Sequence, residues 1–179
     1  MSVQLDTHVF GSAFIEQVES VAQNAQEFDG TLGGDAELHE KTRRSKVRIL
    51  YDLSLKHQIL SWVNAMNTVN YGFDLYQDCE LQYTVYDASY KGHYDWHDDE
   101  EILNGRRFAR KLSLSILLTD GQDYTGGDLE VEGYSLSPKR ARQRGSAILF
   151  PSFLRHRVTP VTRGTRKSLV AWVVGPAWR

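Results

Sequence analysis

Apolar residues recur at helical spacing in two segments near the amino terminus, residues 12 to about 26 and residues 54 to about 69. Side chains three or four residues apart share one face of a helix, so each stripe predicts an amphipathic helix that packs on a core. The stripes consist of Phe14, Val18 and Val21 in the first segment and Ile59, Trp62, Val63 and Met66 in the second. Residues 29 to 46, between them, are rich in glycine and charge and predict a loop.

Short runs of alternating apolar and polar residues occupy most of the remaining chain and predict β-strands. A first run, Val47, Ile49 and Tyr51, precedes the second helix. Beyond Tyr76 the runs lie at about 81 to 87, 112 to 119, 128 to 132, 146 to 150, 157 to 162 and 168 to 174. Glycine turns such as Gly126-Gly127 separate them. This spacing predicts a mainly β (α+β) fold, a β-sandwich or jelly roll with the N-terminal helices buttressing one outer face.

The length and composition favour one globular domain. The chain has 179 residues, of which 41% are hydrophobic and 25% are charged, and no linker divides it. We expect a single domain over residues 1–179. Within it, residues 1–75 would form a helical and strand support, and residues 76–179 would form the core that carries the chemistry.

The net charge and the cysteine content indicate which binding partners and which cellular compartment to expect. The net charge of -2 argues against a nucleic acid or a membrane surface held by bulk electrostatics. The single cysteine, Cys79, excludes an intrachain disulfide framework and fits a reducing, cytoplasmic compartment. The first residues lack the pattern of a signal peptide, and no apolar run is long enough for a membrane span. We therefore expect a protein without a membrane segment.

Two histidines, one carboxylate and an arginine form the most informative spacing in the chain. His97-Asp98-Asp99 is followed 59 residues after His97 by His156, and Arg166 lies ten residues further on. Residues i and i+2 of a strand project to the same side, so His97 and Asp99 can reach one ion while Asp98 points away. Two histidines and one carboxylate, with open positions left over, suit non-haem Fe(II), and an arginine fork suits a carboxylate.

The residues alone leave alternatives open at this site. His93-Tyr94-Asp95 is a second triplet of the same form, and the acidic run after His97 is also typical of a solvated loop. The remaining histidines lack such a context, and we interpret them as surface or structural residues. They are His8, His39 and His57.

The segment after His156 resembles a known family. Its residues HRVTPVTRGTRKSLVAWVVGP are similar to the motif H-x-V-x-P-V-x-x-G-x-R/K of the prolyl 4-hydroxylase-like branch of the Fe(II)/2-oxoglutarate-dependent dioxygenases. Tyr94 to Asp99 resembles the Tyr-x-x-His-x-Asp arrangement of that family, which selects His97 over His93. Residues 110 to 119 and 124 to 129 look like its next strand and its GGxL turn. The resemblance covers residues 80 to 175.

The resemblance implies a double-stranded β-helix and a set of site residues. His97, Asp99 and His156 would bind Fe(II). Arg166 would pair with the far carboxylate of 2-oxoglutarate, assisted by Ser168. Tyr86 lies near the position of a family tyrosine that donates to the same carboxylate, although Tyr83 is close by in the sequence. O2 would be the second cosubstrate, and ascorbate an accessory cofactor.

The resemblance also implies the reaction and a substrate side. The family hydroxylates an unactivated C–H bond while it decarboxylates 2-oxoglutarate to succinate and CO2. Residues at the substrate-side positions of peptidyl prolyl hydroxylases are Tyr94, Arg110 and Trp172, so we expect a prolyl residue of a peptide or protein, or free proline, as the substrate. Residues 98 to 107 would be a substrate lid or a hairpin loop.

The sequence can also be compared with three other functions. A nucleic-acid demethylase of the same superfamily would use the basic run Lys139, Arg140, Arg142 and Arg144, but relatives of this kind carry an arginine where this chain has Trp172. A non-catalytic jelly-roll binding module would lack a metal ligand or the arginine, and none is missing. A cupin-like metalloenzyme would need a His-x-His pair, which the sequence lacks. The oligomeric state has no sequence signal.

Overall fold

The computed structural model describes residues 2–30, 41–100 and 108–178, which form helices and thirteen strands. The helices are α1 (Ser12–Gln23), α2 (Leu53–Asn70), α3 (Pro138–Ala141) and a 3-10 turn (Ala88–Tyr90). The first seven strands are β1 (Gln4–Asp6), β2 (Phe28–Asp29), β3 (Arg43–Arg44), β4 (Lys46–Leu50), β5 (Cys79–Asp87), β6 (His93–His97) and β7 (Phe108–Leu117). The others are β8 (Thr125–Gly126), β9 (Leu129–Val131), β10 (Ala147–Pro151), β11 (His156–Val158), β12 (Val161–Arg163) and β13 (Thr165–Pro176).

Two antiparallel sheets make up the jelly roll. The major sheet has seven strands in the order β1-β10-β7-β13-β5-β4-β2, and the minor sheet has four in the order β3-β6-β11-β9. Strands β12 and β8 form a further pair. Neighbours in the sheets are distant in sequence, as in a double-stranded β-helix. The mainly β fold with N-terminal helices is therefore confirmed.

The two faces of the major sheet have different roles because side chains alternate along each strand. On β13, Leu169, Ala171 and Val173 face α1 and α2 in a fully buried apolar core. Burying a leucine or valine side chain contributes about 1.5–3 kcal/mol, so this face anchors the helices. Arg166, Ser168 and the other even positions of β13 project to the opposite, concave face.

The predicted helices match α1 and α2, and the predicted strands match β4, β5, β7, β9, β10 and β13 within a few residues. Helix α2 begins after Asp52, whose carboxylate accepts a hydrogen bond from the Leu55 N–H at 2.8 Å. The single strand predicted at 157 to 162 was wrong. The structure divides it into β11 and β12, because Pro160 lacks an N–H for the ladder.

Several predictions concern short elements or undescribed residues. The pattern missed β1, β2, β3, β6 and β8, of which four have only two or three residues. The predicted loop at 29 to 46 contains β3, and its residues 31–40, including His39, lie outside the described residues. Residues 101–107 of the proposed lid lie outside them too. Among the helices of the described chain, none has the length and apolarity to cross a membrane.

Candidate active site

Three candidate metal ligands meet between the two sheets. The Nε2 atom of His156 lies 3.3 Å from Oδ2 of Asp99, and Nε2 of His97 lies 3.8 Å from Oδ1. All three ligand atoms lie within 4.8 Å of one another, the only such group among the described residues. In an octahedral site with bonds of about 2.1 Å, adjacent ligand atoms are about 3 Å apart. The separations and the donor types therefore fit a divalent ion such as Fe(II).

Adjacent strands position these ligands. His97 ends β6 and pairs with His156 on β11, so both imidazoles project from the same place in the minor sheet. Asp99 lies two residues beyond β6, where its N–H donates to the Ser152 carbonyl at 2.8 Å. Asp98 is exposed while Asp99 is only 8% exposed, so the two carboxylates point in opposite directions as the motif predicts.

Backbone carbonyls orient both imidazoles toward the centre of the group. Nδ1 of His97 lies 2.7 Å from the Asp95 carbonyl, and Nδ1 of His156 lies 3.0 Å from the Leu154 carbonyl. A carbonyl accepts only, so Nδ1 carries a proton in each ring and Nε2 is the ring atom that faces the candidate metal position. Burial lowers the pKa of His97 to about 4, which keeps this imidazole neutral near pH 7.

Asp99 stays ionised despite its burial. Burial raises the pKa of Asp99, but the hydrogen bond and charge of His156 outweigh this effect and lower the pKa overall. For His156, burial lowers the pKa, and the hydrogen bond with Asp99 raises it overall. The carboxylate therefore supplies a negative charge where a divalent cation would bind.

The alternative triplet, His93-Tyr94-Asp95, does not have the environment of a metal site. The ring nitrogens of His93 lie 2.8 Å from the Lys91 carbonyl and 2.9 Å from the Lys41 carbonyl, and Asp95 is exposed. His8 and His57 are exposed. Within the described ranges, these residues form no metal-ligand group.

Two buried serines hold the carboxylate of Asp99. The hydroxyl of Ser113 on β7 donates to Oδ2 of Asp99 at 2.7 Å, and it lies 3.0 Å from the hydroxyl of Ser152. Both serines are at most 1% exposed. Since the single proton of Ser113 goes to Asp99, Ser152 donates to Ser113. This chain links the major sheet to the metal ligand.

We expect Ser113→Ala to weaken metal binding by about 10-fold, because partners of metal ligands typically contribute about 10–100-fold in affinity. Calorimetric titration of the protein with Mn(II) in the absence of air measures the effect. The matched control is Ser115→Ala, on the same face of β7, whose hydroxyl has no hydrogen bond within the described structure. Equal affinities for the Ser113 variant and the wild type would contradict the role of Ser113.

Arg166 occupies the closed end of the concave face. It is 4% exposed and lies on β13 opposite Tyr86 of β5, and its Nη1 donates to Ser168 at 3.0 Å. Within the described structure no carboxylate lies within 4.0 Å of this guanidinium. A buried, unpaired arginine fork is a receptor for a planar anion. The residues fit the far carboxylate of 2-oxoglutarate.

Two glycines make room for Arg166. Gly164 has a φ of +71°, and a Cβ there would overlap the Asp123 carbonyl oxygen, so only glycine permits the turn that precedes β13. A Cβ at Gly127 would lie 3.0 Å from Cδ of Arg166. These glycines therefore allow the chain to reverse and the arginine to project inward.

Tyr86 and Tyr83 lie on opposite faces of β5. Tyr86 is 3% exposed, and its ring centroid lies 5.6 Å from the Arg166 guanidinium. The hydroxyl of Tyr83 instead donates to Glu19 at 2.8 Å on the helical side. Burial raises the pKa of Tyr86, so its phenol remains a donor. The geometry places Tyr86, rather than Tyr83, beside the arginine.

The three predicted substrate-side residues lie near the open end. Trp172 is six residues after Arg166 on β13, about 20 Å along an extended strand. The Arg110 guanidinium lies 4.2 Å from the Trp172 ring centroid and donates to Glu80 at 2.5 Å. The Tyr94 ring stacks on the His97 imidazole with a centroid separation of 3.4 Å.

A β-bulge places Arg110 on the concave face. Strict alternation from Ser113 would turn Arg110 toward the helices, but the register between β7 and β13 shifts between Val173 and Val174. The extra residue, Lys111, reverses the alternation. The indole N–H of Trp172 is buried and has no acceptor within the described structure. An acceptor on a bound molecule would remove the cost of this unpaired donor, about 1–3 kcal/mol.

An open groove of about 710 Å³ leads from the metal group to the surface. Tyr94, Asp99 and Trp172 line its inner end, and Ile49 of β4 and the following Tyr51 line its outer end. Tyr51 is 88% exposed, so its aromatic ring is open to solvent at the rim. A second, narrower cavity extends from the metal group to Arg166 and Ser168.

The structure adds residues that the motifs did not indicate. Arg43 and Gln82 line both the groove and the inner cavity, and Ser113 and Ser152 support Asp99. Arg43 lies on a two-residue strand without alternation, so its position depends on pairing with Tyr94 in β6. Ser113 lies in a strand that was predicted correctly, and Ser152 directly follows another. The signal available in the sequence was that each is a polar residue next to an apolar run.

A jelly roll with two histidines, one carboxylate and a buried arginine facing one cavity defines the class of non-haem metal-dependent oxygenases. Comparisons with known proteins identify the family. Residues 81–174 match the model of the 2OG-Fe(II) oxygenase superfamily. A PKHD-type hydroxylase of Synechococcus sp. is 31% identical over 159 residues, which are 87% of this chain and 70% of the relative.

Solved structures agree in fold. A prolyl-4-hydroxylase from Pseudomonas putida has a TM-score of 0.68 at 18% identity, with 98% of this chain and 92% of that chain covered. A prolyl hydroxylase from Trichoplax adhaerens, in complex with a hypoxia inducible factor oxygen degradation domain peptide fragment, has a TM-score of 0.69 at 18% identity. That match covers 96% of this chain and 82% of the other. The chain belongs to the 2OG-Fe(II) oxygenase superfamily, and it is an oxidoreductase that uses Fe(II), 2-oxoglutarate and O2.

Proposed function

We propose that this enzyme hydroxylates a prolyl residue of a peptide or protein and converts 2-oxoglutarate and O2 to succinate and CO2. The observation that carries the proposal is the order of residues along the concave face. The candidate ligands His97, Asp99 and His156 lie between the buried Arg166 and the aromatic groove. The names of the relatives support the same reaction.

Each part of the cavity has one role in this proposal. His97, Asp99 and His156 would hold Fe(II), and the bound iron would oxidise the C–H bond with 2-oxoglutarate as cosubstrate. Arg166 binds the far carboxylate of 2-oxoglutarate, and Ser168 and Tyr86 donate hydrogen bonds beside it. Burial of this end excludes water, which strengthens the pairing of the carboxylate with the arginine.

The groove supports a polypeptide as the substrate. Tyr94 and Trp172 present aromatic surfaces beside the metal group, and a pyrrolidine ring packs well on such surfaces. Arg110, fixed by Glu80, can donate to a peptide carbonyl at the same place. The side chains of Ile49 and Tyr51 extend the contact surface beyond one residue. The relative from Trichoplax adhaerens has a peptide bound.

Mass spectrometry of blocked, proline-centred peptides tests the substrate. Incubation with Fe(II), ascorbate, 2-oxoglutarate and O2 is expected to add one oxygen atom to the proline, located by fragmentation. The matched control peptide has alanine in place of proline and should gain no oxygen. Succinate formation without oxidation of any peptide, but with oxidation of free L-proline, would contradict the peptide substrate and establish the small-molecule alternative.

The nucleic-acid alternative gains no support from the basic run. Nε of Arg142 donates to Asp128 at 2.9 Å, Nε of Arg144 donates to the Leu118 carbonyl at 2.9 Å, and Arg140 donates to the Leu5 carbonyl at 2.9 Å. Asp128 pairs with the charge of Arg142, and backbone carbonyls of the fold hold the exposed Arg140 and Arg144. The buried, unpaired cations near the metal group are instead suited to small anionic groups.

Two further assignments belong to the proposal. We infer that ascorbate keeps the bound iron ferrous during turnover, and omitting it should make succinate formation stop early. We also place the protein in the cytoplasm. Cys79 is buried and unpaired, which agrees with a reducing compartment.

A further inference from the structure

Arg43 is a second buried arginine that has no counter-ion among the described residues. It is 9% exposed, and Arg166 is the other buried arginine among the described residues. Nε of Arg43 donates to the Ser45 hydroxyl at 2.9 Å. Among the described residues no carboxylate lies within 4.0 Å of the guanidinium, and no acceptor bonds its two terminal amino groups. The cation is thus held in place with its fork unpaired.

The fork of Arg43 lies where a substrate would approach the metal group. Arg43 is on β3, opposite Tyr94 of β6, and its guanidinium lies 4.5 Å from the Tyr94 ring centroid. Tyr94 in turn stacks on His97. Arg43 lines both the outer groove and the inner cavity, whereas Arg166 lines only inner cavities. A group that enters through the groove therefore reaches Arg43 first.

The other arginine that lines the groove has an acidic partner among the described residues. Arg110 is paired with Glu80. Burial of a charged group is unfavourable unless an opposite charge pairs with it. The planar fork of arginine is best matched by a carboxylate, which accepts two parallel hydrogen bonds. The ligand that pairs with the Arg43 guanidinium therefore carries a carboxylate.

We propose that Arg43 is a second carboxylate receptor, which binds a carboxylate of the substrate next to the carbon that is hydroxylated. The inference rests on the proposed function and narrows its substrate class to prolyl peptides with an adjacent acidic residue. A second carboxylate could bind Arg43 in the same way, namely the carboxylate of 2-oxoglutarate nearest the metal. Arg166 would hold the other carboxylate of that molecule in either case.

Binding measurements with named probes separate these sources. The probes are 2-oxoglutarate and two blocked heptapeptides centred on proline, with glutamate or glutamine on both sides of it. Titrations use the Mn(II)-loaded protein without O2, so the readout is affinity rather than turnover. The variants are Arg43→Gln and Arg43→Lys, and the control is Arg163→Gln, an exposed arginine on β12. Thermal unfolding establishes that each variant is folded.

We expect the wild type to bind the glutamate peptide about 10-fold or more tightly than the glutamine peptide, because a buried charge pair contributes at least this factor. Arg43→Gln should remove this preference and leave the affinity for 2-oxoglutarate within about twofold. Arg43→Lys should keep part of the preference because it keeps the charge without the fork. The Arg163 control should behave as the wild type.

The alternative outcomes are distinct. If Arg43→Gln weakens 2-oxoglutarate binding and leaves the peptides unaffected, Arg43 is a carboxylate receptor for the cosubstrate, and the acidic substrate is overturned. If the wild type binds both peptides equally, and Arg43→Gln leaves the affinity for 2-oxoglutarate unchanged, Arg43 is not a carboxylate receptor. If neither peptide binds the wild type, the peptide substrate of the proposed function fails. An unchanged affinity for 2-oxoglutarate in Arg43→Gln would then overturn the inference as well.

Discussion

Replacing Asp99 with alanine is expected to remove stable metal binding and to lower succinate formation by about 1,000-fold or more. Loss of a partner that only orients a ligand costs about 10–100-fold, and loss of a ligand should cost more. Asp99 is the only carboxylate of the candidate ligand group, and it is buried between two imidazoles. Without it, no negative charge in the group offsets the charge of the ion.

Asp95→Ala is the matched control for Asp99→Ala. Asp95 belongs to the competing triplet, is exposed, and contacts His97 only through its backbone carbonyl. This variant should keep metal affinity and succinate formation within about twofold of the wild type, since the backbone contact survives. Bound metal is measured by mass spectrometry and affinity by calorimetry. Loss of the metal in Asp95→Ala, with retention in Asp99→Ala, would contradict the assignment of the ligands.

The second large effect is expected from Arg166→Gln, which should raise the Kd for 2-oxoglutarate by about 100-fold or more. Truncating one partner of a buried charge pair costs about 2–5 kcal/mol, and each 1.4 kcal/mol corresponds to about tenfold in affinity. Arg166 is 4% exposed and anchored by Ser168, so neither water nor another described cation can replace its fork. Metal affinity should be unchanged, because the guanidinium does not contact the ligand group.

The neighbouring Lys167 provides the control for Arg166. Lys167 is the next residue on β13 and projects to the other face, where its exposed amino group lies 3.5 Å from Glu19. Surface pairs of this kind contribute little, so Lys167→Gln should leave the Kd for 2-oxoglutarate within about twofold. Equal affinities in wild type, Arg166→Gln and Lys167→Gln would show that the cosubstrate binds elsewhere.

The long elements of the fold could be predicted from the sequence because their patterns are local. Helices α1 and α2 follow from stripes of apolar residues, and β5, β7 and β13 follow from alternation. Short strands carry no such signal. Strands β2 and β3 have two residues each, and only their pairing with β4 and β6 makes them strands. Pro160 was a local signal that should have divided the predicted strand at 157 to 162.

In the site, too, the residues in local motifs could be predicted, and the residues placed by strand pairing could not. The spacing of His97, Asp99, His156 and Arg166 singled out four residues, which the structure brings to one cavity, although their roles remain predictions. Their neighbours depend on strand register, which the sequence does not specify. The pairing of β7 with β10 brings Ser113 close to Ser152, and the bulge opposite Val173 determines the face on which Arg110 lies. Arg43 reaches the cavity only because β3 pairs with β6.

Succinate formation by the reconstituted protein tests the central claim most directly. The wild type is loaded with Fe(II) without air, and 2-oxoglutarate, ascorbate and O2 are then added, with each of Fe(II), 2-oxoglutarate and O2 omitted in turn. The account predicts succinate only when all three are present, and almost none from Asp99→Ala or from Arg166→Gln at low 2-oxoglutarate. A folded, Fe(II)-loaded wild type that forms no succinate, with or without proline peptides, and binds no 2-oxoglutarate would contradict it.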